Sequence, residues 1–301
     1  MYDSIIIGAG PAGLTAAIYL ARKKIKFLLI SEDIGGQAAM SGSIENYPGF
    51  KSIAGINLIS KFQKQLKDLG VEGITYEKVV LIEKEKNLFL VNTEEKKYIS
   101  RTVIITSGKL PRKLNVPGEK EFTGRGVAYC ATCDAPNFKN LPVAVVGGGN
   151  SALDSVLQLS KYTKKIYLIN LGDELIGDAI MQEKVKKLGF VKILNHKKTL
   201  SIEGENSVST LIVEDTKTGR KEKINVAGVF INIGWIPATS FKMPVGLNNE
   251  GEIIIDKNCR TKTSGIFAAG DVTDIESKQI IIACGEGAKA ALSAYRYLNN
   301  Q

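Results

Sequence analysis

One unit is written twice in this chain: a β-branched strand that runs into a glycine turn and then into a helix. Ser4-Ile5-Ile6-Ile7 enters Gly8-Ala9-Gly10-Pro11-Ala12-Gly13, and apolar residues at helical spacing follow at Leu14, Ala17, Ile18 and Ala21. Later, Val143-Ala144-Val145-Val146 enters Gly147-Gly148-Gly149-Asn150-Ser151-Ala152, followed by Val156, Leu157 and Leu159 and then by the strand Ile166-Tyr167-Leu168-Ile169. Apolar runs without alternation belong to parallel strands covered on both faces. Between strand and helix, Gly-x-Gly-x-x-Gly or Ala permits a tight turn and lets a pyrophosphate approach the unpaired N–H groups of the helix. The repeat predicts an α/β protein of two doubly wound, three-layer nucleotide-binding-type domains. A length of 301 residues is sufficient for both.

Breakers set the expected boundaries. Pro111, Pro117 and Gly118 put a hinge near residue 113, and Gly234-Trp235-Ile236-Pro237 precedes a second near 242. Residues 1–112 and 243–301 then make one discontinuous domain, and 113–242 the central one. Within the first, Ile53 to Leu69 reads as a helix stopped by Gly70, and 87–100 as a solvated hairpin. Gly251 to Asp256 suggests another hairpin, and a last helix runs from Gly285 to Leu298.

Composition narrows the class. Hydrophobic residues make up 44% and charged residues 24%, which is ordinary for a globular protein. No apolar run reaches the roughly 18 residues of a membrane span, and the amino terminus lacks a leader pattern, so a cytoplasmic protein is expected. The net charge of +9 steers acidic partners. Its lysines are dispersed rather than clustered among aromatics, so nucleic acid is not the expected partner.

Chemistry concentrates in Val127-Ala128-Tyr129-Cys130-Ala131-Thr132-Cys133-Asp134. A Cys-x-x-Cys in a chain with few cysteines is a redox or metal candidate. A dithiol works because one thiolate attacks while the other resolves the mixed disulfide. Asp134 is placed to carry the proton, but an aspartate titrates near ~3.9, so that role needs partial burial. Cys259 and Cys284 stand alone in unrelated segments and His196 is the sole histidine. Four zinc ligands are therefore not assembled, and the two single cysteines read as small buried hydrophobes.

With Gly10-Pro11-Ala12-Gly13-Leu14, Gly35-Gly36-Gln37, Glu45-Asn46-Tyr47-Pro48-Gly49 and Thr263 to Val272 beside the dithiol, nearly the whole chain resembles the low-molecular-weight flavoprotein thioredoxin reductases. The resemblance implies FAD in the first glycine site, lined by Gly8, Gly10, Pro11, Ala12, Gly13, Gly36, Gln37 and Asn46. It implies Gly270 and Asp271 at the ribityl chain or phosphate, and Gln279 and Ile280 near the isoalloxazine. The family's ribose-binding acid follows the second strand; Ser31 has that place and Glu32 comes one later, so either is a candidate. Cys133 would face the flavin, Cys130 would attack the substrate disulfide, and Asp134 would be the acid/base. Thioredoxin as partner and a homodimer follow from the same resemblance.

One motif departs from the pattern. NADPH-using members carry a His-Arg-Arg motif and a further arginine after the strand that ends here at Ile169. This chain reads Asn170-Leu171-Gly172-Asp173-Glu174-Leu175-Ile176-Gly177, with Leu171, Gly172 and Ile176 at the arginine positions. A 2′-phosphate would meet carboxylates instead of cations. NADH calls for an acid at the strand end, where Asn170 stands. The chain thus resembles most the ferredoxin-dependent flavin thioredoxin reductases, which lack those arginines. An acidic ferredoxin near about −400 mV lies roughly 130 mV below thioredoxin, worth about 6 kcal/mol over two electrons. The alternatives are an NAD(P)H-fed disulfide reductase with an altered pocket, and a flavin-binding redox sensor. The complete dithiol with its acid speaks against the sensor, and the surviving Gly147-x-Gly149-x-x-Ala152 speaks for a nucleotide unless it only packs helix on strand.

Overall fold

A computed structural model describes residues 1–71 and 73–300. In chain order the elements begin β1 (Tyr2–Ala9), α1 (Pro11–Arg22), β2 (Phe27–Ile34), α2 (Gly36–Ala39) and α3 (Gly55–Asp68). There follow β3 (Val79–Glu85), β4 (Leu88–Thr93), β5 (Lys97–Ile105), β6 (Lys109–Pro111), β7 (Val127–Ala128) and α4 (Ala131–Asp134). Next come β8 (Val143–Val146), α5 (Asn150–Leu159), β9 (Ile166–Ile169), α6 (Ala179–Lys186), β10 (Val191–Leu194), β11 (Lys197–Gly204) and β12 (Val208–Asp215). The chain closes with β13 (Lys221–Asn225), β14 (Gly228–Ile231), β15 (Trp235–Pro237), β16 (Ile266–Ala268) and α7 (Ile280–Asn299). Two compact units result: Met1–Leu110 with Ile236–Gln301, and Pro111–Trp235.

The first unit is built on a sheet in the order β2-β1-β5-β4-β3, with β16 also on β5. Its β1, β2, β5 and β16 pair in parallel, while β3 and β4 form an antiparallel extension. Side chains alternate across a strand, and here both faces are covered. Ile6, Leu29 and Ile104 pack with α1, α3 and α7, whereas Ile5, Ile7, Val103 and Ile105 pack with Ile82, Phe89, Val91 and Ile253. That is why Ile5-Ile6-Ile7 shows no polar alternation. Each such side chain contributes roughly 1.5–3 kcal/mol by leaving water.

The second unit repeats the plan. Its parallel sheet runs β10-β9-β8-β14-β7. Val143, Val145, Leu168 and Phe230 face the helical layer of α5 and α6, and Ala144, Val146, Ile169 and Val229 face the antiparallel sheet β11-β12-β13. The fold is α/β with mixed sheets. In each unit the layer opposite the helices is antiparallel β structure.

Several local expectations are revised. The strand expected to end at Ser31-Glu32 continues to Ile34, because a register shift in β1 lets Ala9 pair with Ile34. Segment 87–100 is not simply solvated: Phe89 and Val91 are core residues. The hairpin expected from Gly251 to Asp256 is short and begins earlier: Leu247 pairs antiparallel with Ile253 across a turn capped by Asn248, and Ile253 also bridges to Thr273. The last helix starts at Ile280, before the expected Gly285, with Gln279 as its cap. The chain re-enters the first unit at Ile236 rather than near 242, since Ala238 and Lys242 already bond to Gly108 and Val80.

Candidate functional site

The dithiol belongs to the second unit. Cys130 follows β7 in extended conformation and caps α4, so Cys133 comes round one helical turn later. Their Cα atoms are 5.4 Å apart and the sulfurs are joined as a disulfide, within the span such a bond requires. The Cys133 N–H donates to Cys130 Sγ at 3.1 Å, a contact that favours negative charge on that sulfur once the bond is reduced. Cys133 is exposed and Cys130 half-buried.

Both sides of the pair are tied down. Tyr129 donates to the buried Glu119, whose carboxylate also accepts the backbone N–H groups of Leu114 and Asn115. Burial and the bond to Glu119 push the Tyr129 phenol up. Between the cysteines, Thr132 donates to Gln158 Oε1 at 2.6 Å, and the Gln158 amide donates to Asp154. The loop is thus fastened to α5. Asp134, next in sequence, has its carboxyl raised by burial, the direction an acid/base near neutral pH needs. It lines a cleft of about 350 Å³ with Gly126, Val127, Asn137, Phe138 and Leu141.

The second unit's glycine turn keeps its shape. A β-carbon on Gly147, at φ +140, would collide with the Asn232 carbonyl, and Gly149 caps α5 without a side-chain bond. The ribose end is another matter. Asn170 is buried, and its amide donates to Gly172 O, Glu174 O and Asn195 Oδ1. Its acceptor takes the Gly172 N–H at 3.4 Å. The loop beyond is sewn to the turn by Ile176 N–H to Gly148 O and Asp178 N–H to Asn150 Oδ1. Leu171 and Ile176, at the arginine positions, are 62% and 87% exposed and present no charge. One cation reaches the segment from elsewhere in the chain: Lys217 Nζ lies 3.6 Å from Asp173, whose carboxylate is also 3.3 Å from His196 Nδ1.

The first unit brings the remaining candidates together. Gly10 caps α1 without a side-chain bond, and a β-carbon there would meet nothing within 4 Å. A β-carbon on Gly13 would collide with Gly8 O, and one on Gly287 with Ala12 O. Close packing at these positions and open space at Gly10 make a cradle that a pyrophosphate fits. Gly36 stands against Gly10, and Gly270 against Ala12 and Ala283. Asn46 donates to Gln279 at 3.0 Å, Gln37 to Lys109 O, and Ala9 N–H to Ser31 Oγ. Ser31 is therefore committed to the turn. Glu32 is exposed and lines a cleft with Tyr76, Glu77 and Lys78. Pro11 and Ile280 are the first residues of α1 and α7. Asp271 follows Gly270 and is half-buried. These groups fit a dinucleotide that carries hydroxyls and a pyrophosphate.

Pattern reading missed several residues that frame these sites: Glu119, Gln158, Lys109, Glu252 and Lys278. Their only local signals are positions flanking motifs, as Lys109 follows Ser107-Gly108 and Lys278 precedes Gln279.

Comparison with known proteins agrees with this geometry. The pyridine nucleotide-disulphide oxidoreductase family matches over residues 2–287. A component of the alkyl hydroperoxide reductase of Staphylococcus aureus is 40% identical over 299 residues, which is 99% of this chain and 59% of that protein. The chain thus spans less than two thirds of the length of such relatives. The thioredoxin reductase of Lactococcus lactis has a TM-score of 0.95 at 36% identity, with 100% of both chains covered. A ferredoxin-flavin thioredoxin reductase from Clostridium acetobutylicum has a TM-score of 0.55 at 32% identity, covering 99% of this chain and 98% of that one. The chain belongs to the pyridine nucleotide-disulphide oxidoreductase family, with the fold of the thioredoxin reductases.

Proposed function

We propose that this protein is an FAD-dependent thioredoxin reductase, cytoplasmic and homodimeric, that receives electrons from a reduced, acidic ferredoxin. The observation that carries the choice of donor is the segment after Ile169. There Asn170 spends its hydrogen bonds on its own loop and on Asn195, and Leu171 and Ile176 offer no charge to a 2′-phosphate. The net charge of +9 favours encounter with an acidic donor.

FAD, when bound in the first unit, supplies the step from single-electron input to two-electron reduction of the Cys130–Cys133 disulfide. Gly8, Gly10 and Gly13 would admit its pyrophosphate to the α1 N-terminus. Asp271 and Glu32 would accept from its hydroxyls, and Asn46, Gln37, Gln279 and Ile280 would line the ring end. Cys130 then attacks the thioredoxin disulfide. One protein–substrate S–S bond forms, the substrate bond breaks, and Asp134 delivers a proton to the departing thiolate. Cys133 displaces the second substrate thiolate and restores the Cys130–Cys133 bond. The cleft beside Asp134, with Phe138 and Leu141, gives an apolar segment of the partner room to seat.

A second reading, pyridine nucleotide as donor, is favoured by the intact Gly147 turn and by His196 and Lys217 beside Asp173. Anaerobic reduction of the flavin-loaded protein separates the two. Bleaching by reduced ferredoxin, then reoxidation by thioredoxin, supports the first; bleaching by micromolar NADPH or NADH supports the second.

A further inference from the structure

Two loops of the second unit are sewn together where they enter its parallel sheet. Residues 139–142 lead into β8 and residues 160–165 into β9. The Asn140 N–H donates to the Tyr162 carbonyl at 3.0 Å, and the buried Thr163 hydroxyl donates to the Leu141 carbonyl at 2.7 Å. The Val143 N–H then donates to the Lys165 carbonyl at 2.9 Å. Lys139, Lys161, Lys164 and Lys165 are all exposed, and so are Leu141 and Tyr162. Lysines that stand in two separate stretches of sequence thus meet on one apolar-centred face.

The charge of this face is not offset locally. Asp154 is the one acidic residue between Asp134 and Asp173, and it accepts from the Gln158 amide. None of the four lysines makes an ion pair with a described residue. Lys164 donates to the Ser160 carbonyl at 2.9 Å and lies 4.5 Å over the Phe190 ring. The face also continues into the exchange site. Leu141 and Asp134 line the same cleft, joined along the chain by the single turn Ala135–Phe138. Exposed apolar residues rimmed by charge mark an interaction surface. A field of one sign raises the on-rate of an oppositely charged partner by about 10–10³-fold.

We propose that this lysine-rimmed face docks the acidic surface of a thioredoxin beside its disulfide and sets the rate at which that disulfide reaches Cys130. The proposal rests on the thioredoxin reading above. To test it, the flavin-loaded protein, reduced stoichiometrically with dithionite, is mixed with an acidic oxidised thioredoxin in a stopped-flow instrument. The second-order rate of flavin reoxidation is read against salt. Lys139→Glu/Lys161→Glu/Lys165→Glu should slow it about tenfold at low salt and flatten its salt dependence. Reoxidation by hydroxyethyl disulfide, small and uncharged, should keep the wild-type rate. Arginine at the same three positions should keep the rate with thioredoxin, and glutamine should give a smaller loss. Variants that match the wild-type rate and salt dependence with thioredoxin sink this inference alone. It fails too if reoxidation is unmoved while bleaching by reduced ferredoxin slows, because the face then serves the donor. Wild-type protein reoxidised by the small disulfide but not by thioredoxin sinks the substrate reading as well.

Discussion

The backbone N–H of Cys133 points at Sγ of Cys130 across 3.1 Å, so the two cysteines are chemically unequal. The bond favours negative charge on Cys130 Sγ once the disulfide is reduced. In Cys133→Ser, Cys130 should form a stable mixed disulfide with a single-cysteine thioredoxin activated as an aryl disulfide. Cys130→Ser should form little. Non-reducing electrophoresis reads the outcome. Trapping by Cys130→Ser instead would assign the attack to Cys133, the more exposed sulfur.

Asp134 carries opposite consequences for turnover and for stability. On the reading proposed above, in which Asp134 carries the proton, its replacement by Asn should lower disulfide reduction by about 10²–10³-fold. Burial raises its folded-state carboxyl. A group shifted upward stabilises the fold below its unfolded pKa, and that contribution is lost as pH rises through the folded value. Asp134→Asn should therefore melt at or above the wild-type temperature at pH 7, with the advantage gone at pH 4. A variant less stable at pH 7 than at pH 4, relative to wild type, would contradict the assignment of burial as the cause.

Gly10 and Gly13 separate ligand binding from folding. Nothing lies within 4 Å of a β-carbon on Gly10, whereas one on Gly13 would strike the Gly8 carbonyl. Gly10→Ala should fold with an unchanged melting temperature in the apo form yet hold FAD more weakly. Gly13→Ala should lose about 1–3 kcal/mol of apo stability from overpacking. Denaturant titration and flavin fluorescence give the two numbers independently.

Tyr129→Phe removes one donor from the buried Glu119 while leaving the bonds from Leu114 and Asn115. A hydrogen bond to a charged group is worth about 1.5–3 kcal/mol, and a loss of that size is expected in urea unfolding. No loss would mean that water replaces the phenol.

The repeated strand–glycine–helix unit and the dithiol are legible because each is written in contiguous residues. Ile5-Ile6-Ile7 and Val143 to Val146 announce strands covered on both faces, and the structure covers them. Ser31-Glu32 reads as the end of its strand because the further strand character depends on Ala9 pairing with Ile34. Ile280-Ile281-Ile282 hides a helix start, since β-branched residues carry no helical signal of their own. Lys217 and His196 at Asp173, and Lys109 and Lys278 at Glu252, are meetings across long stretches of chain. No local spacing encodes them. The Asn170 network is hidden in the same way, because its partner Asn195 arrives from the far end of β10.

The choice of donor is the claim on which the rest turns, and stopped-flow reduction of the flavin under anaerobic conditions tests it most directly. Reduced ferredoxin should bleach the flavin rapidly, with rates that fall as salt screens the +9 protein, and oxidised thioredoxin should restore the colour. Rapid bleaching by NADPH or NADH at micromolar concentration, with ferredoxin inert, would contradict the account.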